Sequence, residues 1–257
     1  MATRLKLALF LFLLAIPGAV GAQQSVQSLL ESGDELYAQL RTEAALARYE
    51  SAIALDSVAY AVLWRASRAA TDLGEAATTA STNRDQLFAR AERYARRAVS
   101  VDSTDAEGHF ALARALGRIA LTQGARERVR YAIEVRESAL SALSLNPDHA
   151  GALHIMGLWN AEVMRLGRVE RFFARSLLGG GSFRHASWNE AARYLERAVA
   201  IEPDVIVHRL DLARIYLDVG SVERAREQLD SIAELAPRRI SDPDLKREAA
   251  ELSGRSG

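Results

Sequence analysis

Apolar and polar residues alternate along the chain with a helical period, and five segments of similar pattern mark the ends of predicted helices. They read YESAIALDS, RRAVSVDS, LSALSLNP, ERAVAIEP and LDSIAELAP. Each has a small or apolar residue five places before a terminal serine or proline, which is Ser57, Ser103, Pro147, Pro203 or Pro237. Proline fits just beyond a helix because it cannot continue the hydrogen-bond ladder. The pattern predicts an all-α protein with a recurring helical unit.

The terminal residues are 46, 44, 56 and 34 residues apart. The last spacing equals the tetratricopeptide (TPR) period of about 34 residues, and the longer ones fit the same helical hairpin with insertions. One hairpin cannot cover its own apolar face, so neighbouring hairpins must stack. We predict a TPR-like solenoid of about five hairpins over residues 23–239, which an irregular pair at about 27–55 opens. Residues 240–257 should form a polar capping helix and tail.

The last hairpin shows the pattern most completely. Its first helix should bury Leu212, Ala213 and Tyr216, and Gly220 should form the turn. Its second helix should bury Ala225, Leu229 and Ile232. The small residues allow the two helices to approach closely, and the larger ones fill the space between neighbouring hairpins.

Three successive glycines, Gly179 to Gly181, interrupt the longest unit. A phosphate-binding Walker loop would need a Gly-Lys-Ser/Thr sequence and a preceding strand, and neither is present. Because the same hairpin continues on both sides, a linker between two domains is not indicated. We expect a flexible insertion loop, preceded by an extra helix at 168–178. The alternative is a flap over a groove that makes apolar contacts through Phe172, Phe173 and Phe183.

Composition and charge exclude several classes of function. Lys+Arg and Asp+Glu both number 33, so no net field would recruit nucleic acid or an anionic membrane. The chain has no cysteine, which excludes disulfides and zinc-thiolate sites. The arginines of segment 125–140 alternate with glutamates, which is typical of an exposed, ion-paired helix face rather than a nucleic-acid site. The remaining carboxylates are also expected on solvated faces.

No pattern for catalysis, metal binding or cofactor binding is present. The chain has no His-Glu-x-x-His pair and no Gly-x-Ser-x-Gly sequence, and its five histidines lack the spacing of a metal site. We therefore predict a protein that is not an enzyme and that needs no cofactor.

The N-terminus has the pattern of a secretory signal. Arg4 and Lys6 precede a short apolar segment at 7–16, Pro17-Gly18 breaks it, and small residues allow cleavage after Ala22. The apolar segment is shorter than the ~20 residues of a membrane-spanning helix. We expect residues 1–22 to be a signal peptide and the mature protein, without a transmembrane segment, to be periplasmic or secreted. The alternative is an uncleaved N-terminal anchor.

Two motifs and the order of the helical segments give the chain a resemblance to a known family. Leu63-Trp64-Arg65 opens the first clear repeat, and Leu153-His154 with Gly157 and Trp159 marks a later one. In these features and in its long insertion, the chain resembles the regulator-of-microtubule-dynamics family of TPR proteins over about 59–252. It looks like an exported bacterial relative.

The resemblance implies a TPR fold and a binding function. Animal members of the family attach to microtubules or tether organelles, and the repeat domain of one member is associated with phospholipid binding. An exported protein would not meet tubulin, so a groove for a lipid or peptide is the property that this chain could share.

Aligning the units on their terminal residues suggests a ligand groove along the first helices. One row of equivalent positions holds Trp64, Phe110, His154 and Leu210, and the next row, one turn on, holds Arg68, Arg114, Leu158 and Arg214. Arginines beside aromatic rings suit an amphipathic anion. The candidate ligand-binding residues are Trp64, Arg68, Phe110, Arg114, Arg118, His154 and Arg214. The alternative is structural: solvated arginines, core aromatics and a buried, hydrogen-bonded His154.

The leading functional hypothesis is an exported scaffold or adaptor that holds a protein or peptide partner on its concave face. The alternative is a carrier of a phospholipid or another amphipathic anion in the same groove. Nucleic acid is not expected as a partner.

Overall fold

The structure is a computed structural model, which describes residues 17–77, 82–166 and 181–255. Within these ranges the chain forms eleven α-helices, one short 3-10 helix at Gly181–His185 and no β-strand. The α-helices are α1 (Pro17–Ala38), α2 (Thr42–Leu55), α3 (Tyr60–Ala76), α4 (Thr82–Val101), α5 (Ala106–Ala120), α6 (Ala125–Leu145), α7 (Ala150–Arg165), α8 (Trp188–Ile201), α9 (Ile206–Asp218), α10 (Val222–Ala233) and α11 (Asp242–Arg255).

The helices pair into five successive hairpins, which are α1–α2, α3–α4, α5–α6, α7–α8 and α9–α10. Helix α11 packs on α9 and α10 at the C-terminal end of the stack. The predicted all-α, TPR-like solenoid with a C-terminal capping helix is therefore confirmed. The first hairpin starts earlier than the predicted residue 27, because α1 already includes Pro17, where the described residues begin.

The small or apolar residue of each repeated segment lies where the hairpins pack most tightly. The side chains of Ala52, Ala98, Ala142 and Ala198 are completely buried, and Ile232 is 1% exposed. A larger side chain at any of these alanines would force the neighbouring helices apart. The five-residue interval before the terminal serine or proline thus identifies the core position of every second helix.

Local sequence explains where several helices begin and end. Asp105 caps α5 by accepting a hydrogen bond from the backbone N–H of Glu107, and Ser187 caps α8 in the same way through Glu190. The predicted turn at Gly220 is present, and its φ of 75° lies in the left-handed region that glycine adopts without strain. These residues fix the length of each hairpin and so the position of the next one.

The first helices of the hairpins form the inner wall of the solenoid. Among the described helices, α3 packs on α5, α5 on α7, and α7 on α9, whereas second helices of successive hairpins make at most marginal contact. Because the first helices lie closer together than the second helices, the stack curves towards them. The concave surface is therefore built from the first helices of the hairpins, which are α1, α3, α5, α7 and α9.

The segment after the glycine insertion is held in the core. Phe183 is 1% exposed, and its ring stacks on that of Trp159 with centroids 5.3 Å apart. Phe183 is therefore a core residue and does not make the groove contact that the flap alternative required. Phe172, Phe173 and the predicted extra helix at 168–178 lie outside the described residues.

The predicted signal peptide lies largely outside the described residues, which begin at Pro17. Ala22, after which cleavage is predicted, is part of α1. Within the described part of the chain, no helix has both the length and the apolar character needed to span a bilayer.

Gly157 allows α7 and α8 to approach closely. A Cβ at this position would lie 2.7 Å from Cγ of Leu195 and 3.1 Å from the carbonyl oxygen of Ala191. Since the carbonyl belongs to the backbone of α8, the helices would have to separate. We expect Gly157→Ala to lower the free energy of unfolding by about 1–3 kcal/mol, measured by urea unfolding followed by circular dichroism.

Gly117 provides a matched control, because it also lies inside a helix, and a Cβ there would meet no atom within 4 Å. Gly117→Ala is expected to raise stability by roughly 0.5–1 kcal/mol, since alanine is the better helix former. Equal effects of the two substitutions would contradict the close approach at Gly157.

Candidate functional site

A narrow cleft on the inner wall separates α3 from α5. Because these two helices belong to successive hairpins, the cleft lies at a junction between repeats. It has room for about one water molecule. Its walls come from four residues of each helix, which are Trp64, Ser67, Arg68 and Thr71 of α3 and Glu107, Phe110, Ala111 and Arg114 of α5.

Two aromatic rings form the apolar walls of this α3–α5 cleft. The Trp64 ring is half-buried and carries the guanidinium of Arg65 at 4.1 Å from its centroid. The Phe110 ring lies over Gly151 and packs against His149 with ring centroids 4.6 Å apart. Trp64 also packs against the apolar core, so both walls of the cleft are supported by the fold.

Arg114 lies in a buried ion cluster at one end of the cleft. Its guanidinium is 2.5 Å from Oδ1 of Asp72 and 2.7 Å from Oε2 of Glu75, and its side chain is 12% exposed. Burial raises the pKa of the Glu75 carboxyl, but Arg114 and Arg118 outweigh that effect and hold this pKa at about 2. Tyr37 of α1 donates a 2.5 Å hydrogen bond to Oδ2 of Asp72. The cluster thus ties three successive first helices together.

Most inner-wall arginines are neutralised by carboxylates of neighbouring helices. Arg65 pairs with Asp34, Arg114 with Asp72 and Glu75, Arg118 with Glu75, and Arg214 with Asp211 and Glu248. These pairs join α1 to α3, α3 to α5, and α9 to α11.

Arg68 differs from these arginines because it forms no ion pair with a carboxylate of the described residues. Its guanidinium stacks instead over the rings of Tyr37 and Trp64, at 4.0 and 5.2 Å from their centroids. The Arg68 guanidinium also lies beside the hydroxyl of Tyr49, which donates a 2.7 Å hydrogen bond to Oδ1 of Asp34.

Two polar atoms of the cleft are buried without a hydrogen-bond partner in the part of the chain that the structure describes. They are Oγ of Ser67, whose side chain is completely buried, and Nε of Arg68. Buried polar groups are nearly always hydrogen-bonded, because an unmade bond costs about 1–3 kcal/mol. Both groups can donate a hydrogen bond that no described residue accepts.

A second polar cluster lies between α7 and α9, away from the cleft. Nδ1 of His154 is 2.7 Å from Nδ1 of His208, and Nε2 of His154 is 3.2 Å from Oδ2 of Asp211. With both rings uncharged, His208 donates to His154 and His154 donates to Asp211. His154 and Asp211 are 7% and 5% exposed, so this arrangement is part of the core.

The histidine pair makes stability depend on pH. Burial lowers the pKa of His208 to about 4, although a hydrogen bond that Nε2 of the protonated ring donates to Glu202 raises it in part. In the unfolded chain the value is about 6.5. Between these values only the unfolded state binds the proton, so stability falls as the pH falls from 6.5 towards 4. We expect a loss of about 2 kcal/mol between pH 7 and pH 5, measured by urea unfolding at both values.

The variant His208→Gln should lose much less stability over the same range, whereas the exposed His185→Gln should behave like the wild type. Equal pH dependence of the His208 variant and the wild type would contradict this assignment. The charged and titratable groups that face His208 are His154 of α7, Glu202 before α9 and Arg239 before α11, and Asp211 lies beyond His154.

The structure places the seven candidate residues in two regions. Trp64, Arg68, Phe110 and Arg114 line the α3–α5 cleft, and Arg118 pairs with Glu75 one turn further along α5. His154 and Arg214 belong instead to the polar cluster around Asp211, in the later hairpins. The predicted row of Trp64, Phe110, His154 and Leu210 therefore does not line one continuous groove. Leu210 is completely buried in the last hairpin.

The expectation that carboxylates lie on solvated helix faces was wrong for three of the described aspartates, since Asp72, Asp211 and Asp242 are 1%, 5% and 3% exposed. Asp72 and Asp211 accept hydrogen bonds from tyrosine, histidine or arginine side chains. Asp242 accepts hydrogen bonds from the backbone N–H groups of Arg238 and Arg239.

The sequence analysis also missed Ser67, Thr71 and Glu107 as cleft residues. The one sequence feature that could have identified them is their spacing: each lies three residues from Trp64, Arg68 or Phe110 and so shares a helix face with that candidate residue.

The described residues contain no group of three or more histidine or acidic side chains that could hold a metal ion. The chemistry that the cleft offers is that of hydrogen-bond donation and of contact with aromatic rings.

The sequence matches the family described as regulator of microtubule dynamics protein 1-3 over residues 29–256. Regulator of microtubule dynamics protein 1 of Bos taurus is 26% identical over 231 residues, which cover 88% of this chain and 71% of the bovine protein. The Mus musculus protein of the same name is 25% identical over 237 residues, which cover 91% of this chain and 75% of the mouse protein.

Solved structures of TPR proteins share the architecture. A thermophilic TPR protein of Thermus thermophilus superposes with a TM-score of 0.64 at 25% identity, covering 88% of this chain and 97% of its own. PilF of Pseudomonas aeruginosa superposes with a TM-score of 0.53 at 14% identity, covering 92% of this chain and 88% of its own, which supports the fold alone.

Proposed function

The chain belongs to the family of regulator of microtubule dynamics proteins 1-3, and from this premise we propose that it is a non-catalytic scaffold for a protein or peptide partner. The partner would lie along the concave inner wall that the first helices form. The observation that carries the proposal is the α3–α5 cleft, which places two aromatic walls and unused hydrogen-bond donors on that wall.

The chemistry of the wall supports recognition of a polypeptide. Half-buried aromatic rings such as Trp64 and Phe110 contribute contact area with little loss of conformational entropy. The hydrogen-bond donors of Ser67 and Arg68 beside these rings can bind backbone or side-chain oxygens of a peptide segment. The ion pairs between successive first helices stabilise the wall, so a partner would bind to a preformed surface.

The second candidate is a carrier of a phospholipid or another amphipathic anion. Arg68 and the aromatic rings would suit a headgroup and the start of an acyl chain. However, the cleft holds about one water molecule, whereas an acyl chain needs a much longer apolar cavity. The size of the cleft therefore favours a small group at the end of a peptide or side chain.

We also propose that the protein works outside the cytoplasm. The basic start, short apolar segment and small residues before Gln23 support export. The family name refers to microtubules, but an exported member would meet other partners. Cell fractionation and N-terminal sequencing test this directly: a mature chain that starts at Gln23 supports export, and an intact cytoplasmic chain contradicts it.

A pair of glycine substitutions tests whether the inner wall binds the partner. Gly117 lies seven residues after Phe110, on the same face of α5, and has open space around it. Gly117→Trp should therefore block the wall without disturbing the fold. Gly254→Trp adds the same ring to the open position on α11 and serves as the matched control.

The measurement is quantitative mass spectrometry of proteins retained by the three purified forms, followed by titration calorimetry with the retained protein after purification. The wild type and Gly254→Trp should bind it equally, and Gly117→Trp should bind at least about tenfold more weakly. Equal binding by all three forms would contradict the proposal. Acyl chains extracted from the purified wild type with organic solvent, but not from Gly117→Trp, would favour the lipid carrier instead.

A further inference from the structure

We propose that the solenoid carries a second binding surface, at the edge where the second helices end, for a basic amphipathic helix of a partner protein. This edge patch consists of the apolar side chains of Leu55, Val58 and Val101 and the carboxylates of Asp56 and Asp102. It lies at the α2–α3 and α4–α5 connections, at one edge of the stack rather than on the inner wall. The proposal therefore goes beyond the function of the inner wall and does not depend on it.

Exposed apolar side chains are concentrated at this edge. The described residues expose seven large apolar side chains, and five of them lie at or just after the end of a second helix, namely Leu55, Val58, Val101, Leu145 and Ile201. Leu55 and Val58 are 54% and 60% exposed. Single exposed apolar residues are ordinary on a protein surface, whereas several at one edge indicate a site of interaction.

The two connections that carry the edge patch lie side by side. Arg97 is one turn before Val101 on α4, and its guanidinium donates a hydrogen bond to the carbonyl of Ser57. The hydroxyl of Tyr60, at the start of α3, accepts a 2.9 Å hydrogen bond from the backbone N–H of Gly108 in α5. Because these contacts join the first connection to the second, the apolar side chains of both belong to one surface.

The last hairpin shows which chemistry covers the equivalent position. Its counterpart of Leu55 is Leu235, since each lies two residues before the terminal serine or proline. Leu235 is partly buried in the apolar cluster that contains Leu245 of α11. The adjacent Lys246 donates 2.8 Å hydrogen bonds to the carbonyls of Ala233 and Leu235. A helix with a neighbouring leucine and lysine thus covers the end of α10.

The edge patch offers the same chemistry without such a cover. The C-terminal ends of α2 and α4 carry a partial negative charge, because the last carbonyls of a helix lack partners within it. The connections at 56–59 and 102–105 add the carboxylates of Asp56, Asp102 and Asp105 and contain no lysine or arginine. A helix that presents a leucine beside a lysine or arginine would therefore complement both the apolar side chains and the charge.

Charge also selects this part of the edge and this class of partner. In the later α6–α7 connection, Asp148 pairs with Arg197 at 2.8 Å. Asp56 and Asp102 bond instead to backbone N–H groups of their own connections, at 3.0 and 2.8 Å. Since these carboxylates would repel an anionic membrane, a basic polypeptide is favoured over a lipid surface.

The test uses the full chain and defined probes. The basic probe is an acetylated and amidated peptide of four Leu-Lys-Ala-Ala repeats, and its two controls carry glutamate in place of lysine or serine in place of leucine. Vesicles of phosphatidylcholine with phosphatidylglycerol form the lipid arm. Because the chain has no cysteine, Val58→Cys can carry a single environment-sensitive bimane dye. Leu121→Cys carries the dye at the opposite edge, where the side chain of Leu121 is 57% exposed.

We expect the basic peptide to shift the emission of the dye at position 58 saturably to shorter wavelengths and to leave the dye at position 121 unchanged. Titration calorimetry gives the affinities of the unlabelled variants. Leu55→Ser combined with Val58→Ser should bind the basic peptide at least about tenfold more weakly, because the apolar contact is lost. Leu121→Ser, the matched control, should bind it like the wild type.

The carboxylates are tested separately. Asp56→Asn combined with Asp102→Asn keeps the oxygens that accept hydrogen bonds from the backbone N–H groups of Val58 and Thr104, so the connections should fold unchanged. This variant should bind the basic peptide about fivefold more weakly at low salt, and the difference should shrink as salt screens the charges.

The proposal is overturned if the basic peptide gives no saturable shift at position 58, if either control peptide binds as tightly, or if either double variant binds like the wild type. A dye response to the vesicles alone would assign the patch to a membrane. Self-association in sedimentation that Leu55→Ser with Val58→Ser abolishes would assign it to a second copy of the chain. Either result also overturns the proposal. Gly117→Trp changes the inner wall alone, so the proposals for the edge patch and for the inner wall can fail separately.

Discussion

Replacing Arg114 by alanine is expected to lower the free energy of unfolding by about 3–5 kcal/mol. The substitution leaves Asp72, which is 1% exposed, and Glu75, whose side chain is 13% exposed, facing each other without their main cation. Removing one partner of a buried ion pair is far more destabilising than the pair itself is stabilising, because the remaining charge is not solvated. Urea unfolding at pH 7, followed by circular dichroism, measures the change.

Arg118 is the matched control for this prediction, since it pairs with the same Glu75 but has a side chain that is 34% exposed. Arg118→Ala should lower the free energy of unfolding by less than about 1 kcal/mol. The loss of unfolding free energy that Arg114→Ala causes should also be smaller at pH 4 than at pH 7. Burial raises the pKa of Glu75, and without Arg114 less remains to hold it down, so protonation would relieve the uncompensated charge. Similar losses for both variants at both pH values would contradict the buried cluster.

The second large effect is expected at Phe183. Phe183→Ala should lower the free energy of unfolding by about 3–5 kcal/mol, because it opens a cavity beside Trp159 in the core between α7 and α6. The indole N–H of Trp159 donates to the carbonyl of Ala132 at 2.8 Å, which prevents the ring from turning to fill the space. The measurement is again urea unfolding at pH 7.

Arg184→Ala, at the exposed neighbour in the same 3-10 helix, should change stability by less than about 0.5 kcal/mol. If Phe183→Ala had an equally small effect, the segment after the glycine insertion would not be anchored in the core.

The hairpins could be predicted from the sequence because the information is local. The buried Ala52, Ala98, Ala142 and Ala198 each lie five residues before the terminal serine or proline, and this interval is visible without any structure. Gly220 is another such case, since a glycine between two helical segments predicts the turn that the structure has.

The electrostatics of the inner wall could not be predicted in the same way. Arg114 and Asp72 are 42 residues apart in the chain, and only the stacking of α3 on α5 brings them together. An alignment by repeat position put Arg68, Arg114 and Arg214 in one row, although their partners differ. The uneven insertions between repeats hide which carboxylate of one hairpin faces which arginine of the next.

His154 shows the same limit. Its repeat position is equivalent to that of Trp64 and Phe110, yet the hairpin that follows provides His208 and Asp211 as hydrogen-bonding partners, so the side chain lies in the core. Equivalent positions in a repeat share a backbone location, but their environment depends on the neighbouring unit.

Site-specific photo-cross-linking in living cells tests the central claim, that the inner wall of the first helices is the binding surface. The photoreactive residue p-benzoylphenylalanine would replace Gly117 on the inner wall or Gly254 on α11, two positions with open space for its ring. The account predicts a discrete polypeptide adduct from position 117 that is absent from position 254. Adducts of equal yield from both positions, or an adduct from position 254 alone, would contradict it.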